Sequence, residues 1–218
     1  LAMNPTPDAP LIFFMTAALS GFTGLLTGTR HRRLDSWMAY GGTALAIQTK
    51  GLLPVAMLAW VLVAALTMPG LRQRARALWA PLPIAVSLAV AVSWYAYEAA
   101  TWPDAFYRQF FGDQMAEKVG ISGASILEAA MISAGGLLAP LAVWLGLLGS
   151  VALATRRRPD LSAANAAAGL LAGWVVVNFA IFLPGSRIFV RYILPALPAF
   201  AVLLAAALSS LDRATLRR

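Results

Sequence analysis

Long apolar runs separated by short basic clusters organise this chain. The first run covers residues 10–28 and ends at Arg30, Arg32 and Arg33. Residues 37–68 hold 32 positions, enough for one long helix or for two short ones broken at Lys50-Gly51. A single helix would carry the Arg30 cluster and the Arg72, Arg74 and Arg76 cluster to opposite faces of a membrane. Basic residues near helix ends collect on the cytoplasmic face, so two helices are expected, over 37–49 going out and 52–68 coming back.

A fourth helix is expected over 81–97, closing on Trp94, Tyr95 and Tyr97, residue types that gather at the membrane–water interface. Residues 98–122 are polar, with Glu98, Asp104, Arg108, Asp113, Glu117 and Lys118, and are placed outside. A surface helix is expected over 124–133, then a break at Gly135-Gly136 and a span reaching 154. After Arg156, Arg157 and Arg158 a helix over 162–183 goes outward, Pro184-Gly185 turns, and 192–211 returns to Arg213, Arg217 and Arg218. The expected fold is all-α: a polytopic transmembrane bundle of about seven spans, N-terminus outside and C-terminus cytoplasmic.

Composition agrees. Hydrophobic residues make up 60% of the 218 positions and charged ones 12%, against ~45–50% and ~25% in soluble domains. A water-soluble enzyme, a nucleic-acid-binding domain and a disordered tail are excluded. The net charge of +8 resides in clusters beside the spans: twelve of the seventeen basic residues lie on the inner side of this topology. The five outer ones are Lys50, Arg108, Lys118, Arg187 and Arg191. Cysteine is absent, which removes disulfides and thiolate chemistry, and the single histidine, His31, removes multi-histidine metal sites. No linker or repeat divides the chain, so residues 1–218 read as one domain with an external segment over 98–135.

Cations on the side that disfavours them are the candidates for chemistry. Lys50 follows a helix expected to be 13 residues long, about 20 Å against a hydrocarbon core of about 30 Å. Its turn would then lie in a recess open to water; a lysine reaching up to the headgroups is the alternative. Arg187 and Arg191 are four apart, so on a helix both guanidinium groups share one face and could grip a phosphate from two sides, or anchor headgroups. Tyr192 follows directly. Asp8, beside the first span, either answers the helix dipole, orients or activates an acceptor hydroxyl, or steadies a partner cation. Pro195 and Pro198 stiffen the start of the last span. Asn178 is expected to join helices by hydrogen bonding.

Taken in order, Asp8, Thr49-Lys50-Gly51 with Leu52-Leu53-Pro54, Phe110-Phe111, and Ser186-Arg187 with Arg191-Tyr192-Ile193-Leu194-Pro195-Ala196-Leu197-Pro198 resemble a known pattern. The chain is similar to GT-C membrane glycosyltransferases of the aminoarabinose transferase and protein mannosyltransferase group. That resemblance implies transfer of a hexose or pentose, with inversion, from a polyprenyl-phosphate donor to a saccharide, lipid or protein acceptor at the external face of a bacterial inner membrane. Asp8 matches an acidic position of the family's cavity, and Lys50, Arg187, Arg191 and Tyr192 would bind the donor phosphate. The family's other acids lie in an earlier external loop that has no counterpart here. The expectation is therefore a C-terminal portion, inactive alone. Sugar, acceptor and the use of a divalent metal stay open. A transporter or flippase subunit for an anionic lipid, or a structural membrane subunit, are the alternatives.

Overall fold

The computed structural model describes residues 7–28, 31–108, 162–182 and 194–215. Among these the chain is helical, with no strand. Helix α1 spans Asp8–Thr27, α2 Arg32–Lys50, α3 Leu53–Thr67, α4 Pro69–Arg72, α5 Pro81–Thr101, α6 Pro103–Tyr107, α7 Ser162–Phe182 and α8 Leu197–Thr215. A 3-10 turn, Ala75–Leu78, links α4 to α5. Among the described residues two helices, α1 and α5, are long and apolar enough to cross a membrane, and shorter apolar stretches occupy Leu53–Thr67, Ala166–Ile181 and Leu194–Ala206. The expected surface helix over 124–133, the Gly135-Gly136 break and the Pro184-Gly185 turn lie outside the described residues.

The break at Lys50-Gly51 is real, and its cause is local. Gly51 sits at φ 83°, where a side chain is disfavoured, and its N–H closes α2 by donating to the Ile47 carbonyl at 2.9 Å. Pro54 in the first turn of α3 supplies the restart, since the missing N–H there has no intrahelical acceptor to lose. One expectation needs correction. Helix α2 begins at Arg32, not at 37, because nothing between His31 and Trp37 breaks a helix, and charged side chains in a first turn are hydrated by water. It therefore has 19 residues, about 28 Å long, and Lys50 is not sunk in a recess by a short helix.

Helices α1 and α2 run antiparallel along a seam of small residues. A Cβ on Gly21 would lie 2.4 Å from the Ala39 nitrogen, and one on Gly42 2.8 Å from the Phe14 carbonyl oxygen. The backbones touch, which is how helices pack where lipid supplies no hydrophobic drive between them. Further along, Phe22 meets Tyr40 edge to face at 5.3 Å, and the Tyr40 hydroxyl donates to the Leu78 carbonyl at 2.5 Å. This pins the 3-10 turn to α2. Because the turn that leads into α5 sits beside α2, and Gln48 reaches Val90 and Ala91, α5 runs parallel to α2. Helix α3, which connects the two in the chain, must then run back the opposite way, as two separate helices require.

The core lies where α1, α3 and α7 meet, around Met15, Phe22, Met57, Val61, Leu170 and Trp174. The Trp60 ring lies over Gly173, and its Nε1 donates to the Leu170 carbonyl at 2.9 Å. Helix α5 behaves differently. It buries only Ser87 and Ala91 and leaves Leu82, Val86, Leu88, Val92 and Trp94 exposed, as a lipid-facing helix would. It also continues to Thr101, so Glu98 belongs to the helix and not to the polar segment that follows.

The last helix starts lower than expected. Residues Leu194, Pro195 and Ala196 form a 3-10 turn, and the Trp174 Nε1 donates to the Pro195 carbonyl at 3.3 Å. Trp174 stands eight residues before the end of α7, about 12 Å along its axis. Helix α8 therefore begins beside the middle of α7.

Candidate functional site

Asp8 and Lys50 come together. The Lys50 ammonium donates to Asp8 Oδ1, tying the last residue of α2 to the first of α1. The side chains are 27% and 10% exposed. Antiparallel packing along the glycine seam brings these termini side by side. Each charge also suits its own helix: the carboxylate stands at the positive end of α1 and the ammonium at the negative end of α2. The partial burial of Lys50 thus comes from its partner and from packing, rather than from depth below a short helix.

Helix α5 braces the same turn from the other side. The Tyr95 hydroxyl donates to the Ile47 carbonyl at 3.3 Å and lies 3.8 Å from where a Gly51 Cβ would be. The Gln48 amide donates to the Val90 carbonyl and, at 3.3 Å, to the Ala91 carbonyl and Ser93 Oγ. Thr49 bonds back to the Leu45 carbonyl at 2.7 Å. The Thr49-Lys50-Gly51 turn is tied to α1 by a charge pair and to α5 by two uncharged side chains, Tyr95 reaching in from α5 and Gln48 reaching out from α2. Neither Tyr95 nor Gln48 is singled out by sequence as part of this site. Tyr95 reads as an interfacial aromatic, and Gln48 carries no signal of its own.

Of the residues expected to bind phosphate, the structure places Lys50 next to the expected acid. Arg187, Arg191 and Tyr192, with Phe110-Phe111, lie outside the described residues. Among the described residues no three His, Cys, Asp or Glu side chains gather as a metal site would require. Of the roles open to Asp8, the geometry favours holding the cation. Lys50 is still partly exposed, at 27%.

No family model matches this chain, and no curated protein matches it. Among solved structures, it is similar to the crystal structure of ArnT from Cupriavidus metallidurans bound to undecaprenyl phosphate. The TM-score is 0.66 at 22% identity, over 94% of this chain and 37% of that one. At that identity the likeness shows the helical fold alone. The chain spans 37% of the length of the protein it matches. A membrane-protein neighbour and two apolar helices together support membrane association.

Proposed function

We propose that this chain forms the donor-phosphate side of a membrane glycosyltransferase that takes its sugar from a polyprenyl-phosphate donor. The observation that carries this reading is the Asp8–Lys50 pair, one fixed cation at the end of an apolar bundle. It is supported by a fold shared with a protein crystallised with undecaprenyl phosphate. In the reaction, an acceptor hydroxyl oxygen attacks the anomeric carbon from the face opposite the phosphate, and the carbon–oxygen bond to phosphate breaks. The configuration inverts. Negative charge grows on the departing phosphate oxygen, and a preorganised cation lowers the barrier only if it sits where that charge appears. Lys50 is that cation here, and Asp8 keeps it oriented. Arg187 and Arg191 are proposed to grip the other phosphate oxygens, with Tyr192 beside them. The hydroxyl proton passes to a base other than Asp8, whose carboxylate is held by Lys50. A bacterial inner membrane is the proposed location.

The test uses the whole open reading frame that encodes this chain, in membranes supplied with a polyprenyl-phosphate sugar. Release of polyprenyl phosphate coupled to acceptor glycosylation is expected, with Lys50→Ala and Arg191→Ala each lowering kcat by at least about a hundredfold. Wild-type turnover in both variants overturns the assigned roles. Tight binding of the lipid-linked sugar without bond cleavage overturns the transferase reading and leaves lipid translocation.

A further inference from the structure

The opposite end of the α1–α2 pair carries a second concentration of charge, about 30 Å along α1 from Asp8. There a cavity of about 390 Å³ is lined by Gly24, Gly28, Arg32, Asp35, Arg74 and Arg76, among others. Its volume falls within the ~300–1,000 Å³ that small ligands occupy. The three arginines come from separate places in the chain: Arg32 opens α2, Arg74 follows α4, and Arg76 lies in the 3-10 turn. Tyr40, bonded to the Leu78 carbonyl, fixes that turn, with Arg76 and Ala77, beside α2.

Three guanidinium groups against one carboxylate leave a surplus of positive charge. All three arginines are exposed and line the same cavity, and two of them are held. The Arg74 guanidinium lies over Gly28, so closely that a Cβ there would fall 1.3 Å from Nη1. Arg32 Nη2 donates to the Trp79 carbonyl at 3.4 Å. The Trp79 side chain is 73% exposed, a placement suited to the headgroup level of a bilayer. Packing several like charges into one cavity is favourable when an anion completes it, and planar guanidinium forks match phosphate oxygens in pairs.

We propose that this cavity binds the phosphate of an anionic phospholipid headgroup from the leaflet at the basic end of the bundle, which the positive-inside bias places on the cytoplasmic side. The ligand chemistry is a phosphate diester with an acyl tail lying against α1 and the turn. This site is separate from the Asp8–Lys50 end and stands whether or not that end transfers a sugar.

The full chain in detergent, titrated with dioleoyl phosphatidylglycerol, dioleoyl phosphatidylcholine or inorganic phosphate and read by native mass spectrometry, tests the proposal. Phosphatidylglycerol is expected to remain bound in preference to phosphatidylcholine. Arg74→Gln and Arg76→Gln are each expected to weaken it about fivefold. Ala77→Trp, which fills the cavity without altering a charge, is expected to abolish the preference. Arg157→Gln with Arg158→Gln removes two charges from another cluster, one more than either single variant, and is expected to leave it unchanged. Equal retention of both lipids, equal loss in the Arg157/Arg158 variant, or full displacement of phosphatidylglycerol by equimolar inorganic phosphate overturns the lipid site. Thermal unfolding of each variant separates lost binding from lost folding, since a folded Ala77→Trp protein that still prefers phosphatidylglycerol also overturns it.

Discussion

Lys50 ends α2 with its ammonium on the carboxylate that begins α1, so one ion pair joins the open ends of an antiparallel helix hairpin. Removing either partner leaves the other charge in a largely buried setting. A hydrogen bond to a charged group contributes ~1.5–3 kcal/mol, and both side chains are less than one-third exposed. Asp8→Ala and Lys50→Ala are each expected to cost about 1.5–3 kcal/mol in graded dodecyl sulfate unfolding. The double variant should cost less than the sum of the two. Additive losses would show that the two residues act independently.

The same pair separates holding a cation from accepting a proton. If Asp8 orients Lys50, Asp8→Asn keeps a hydrogen-bond acceptor and retains part of the activity that Asp8→Ala loses, with no change in the pH profile of kcat. If Asp8 were the base, Asn and Ala would be equally inactive, because an amide takes up no proton at neutral pH.

Gly51 answers to its backbone. At φ 83° an alanine pays ~1–2 kcal/mol that glycine does not. Gly51→Ala is expected to lower stability by about that amount and to displace Lys50, and Gly51→Val to do more harm. Unchanged unfolding in both would mean that the turn relaxes freely.

How much of this was legible in the sequence depends on the kind of signal. Lys50 and Asp8 announce themselves because a charge beside an apolar run has few inexpensive places to be. Helix ends were legible where glycine or proline enforces them, as at Gly28, Gly51 and Pro81, and were misplaced at Arg32, where only solvation decides. The brace from Tyr95 and Gln48 was not legible. Both donate to backbone carbonyls, which every residue has, so no complementary residue type marks the contact. The start of α8 beside the middle of α7 carries no sequence mark for the same reason, since Trp174 donates to a backbone carbonyl. Asn178, expected to bond across helices, is fully buried with no hydrogen-bond partner among the described residues.

Two neighbouring glycines should respond in opposite ways. A Cβ on Gly42 would press on the Phe14 carbonyl and the Ala18 nitrogen at 2.8 and 2.9 Å, while one on Gly41 would meet nothing within 4 Å. Backbone cannot step aside as a side-chain tip can. Gly42→Leu is expected to cost at least about 1–3 kcal/mol by forcing α1 from α2. Gly41→Leu is expected to stay within about 0.5 kcal/mol. Equal effects would refute the close seam.

Trp174 offers a test of how the start of α8 is held. Its indole is fully buried in the core, and its Nε1 reaches the Pro195 carbonyl, three residues beyond Tyr192. Trp174→Phe keeps an aromatic ring but removes the donor and some volume. The lost bond exposes an unsatisfied carbonyl at a cost of about 1–3 kcal/mol, concentrated where α8 starts. Hydrogen exchange at residues 194–200 is therefore expected to accelerate, while α1 and α2 keep their protection. If the phosphate grip depends on this anchor, KM for the polyprenyl-phosphate sugar should rise in Trp174→Phe more than kcat falls, because the cations are displaced and not removed. A uniform loss of protection across the bundle would instead make Trp174 a general core residue with no particular hold on Arg187 and Arg191.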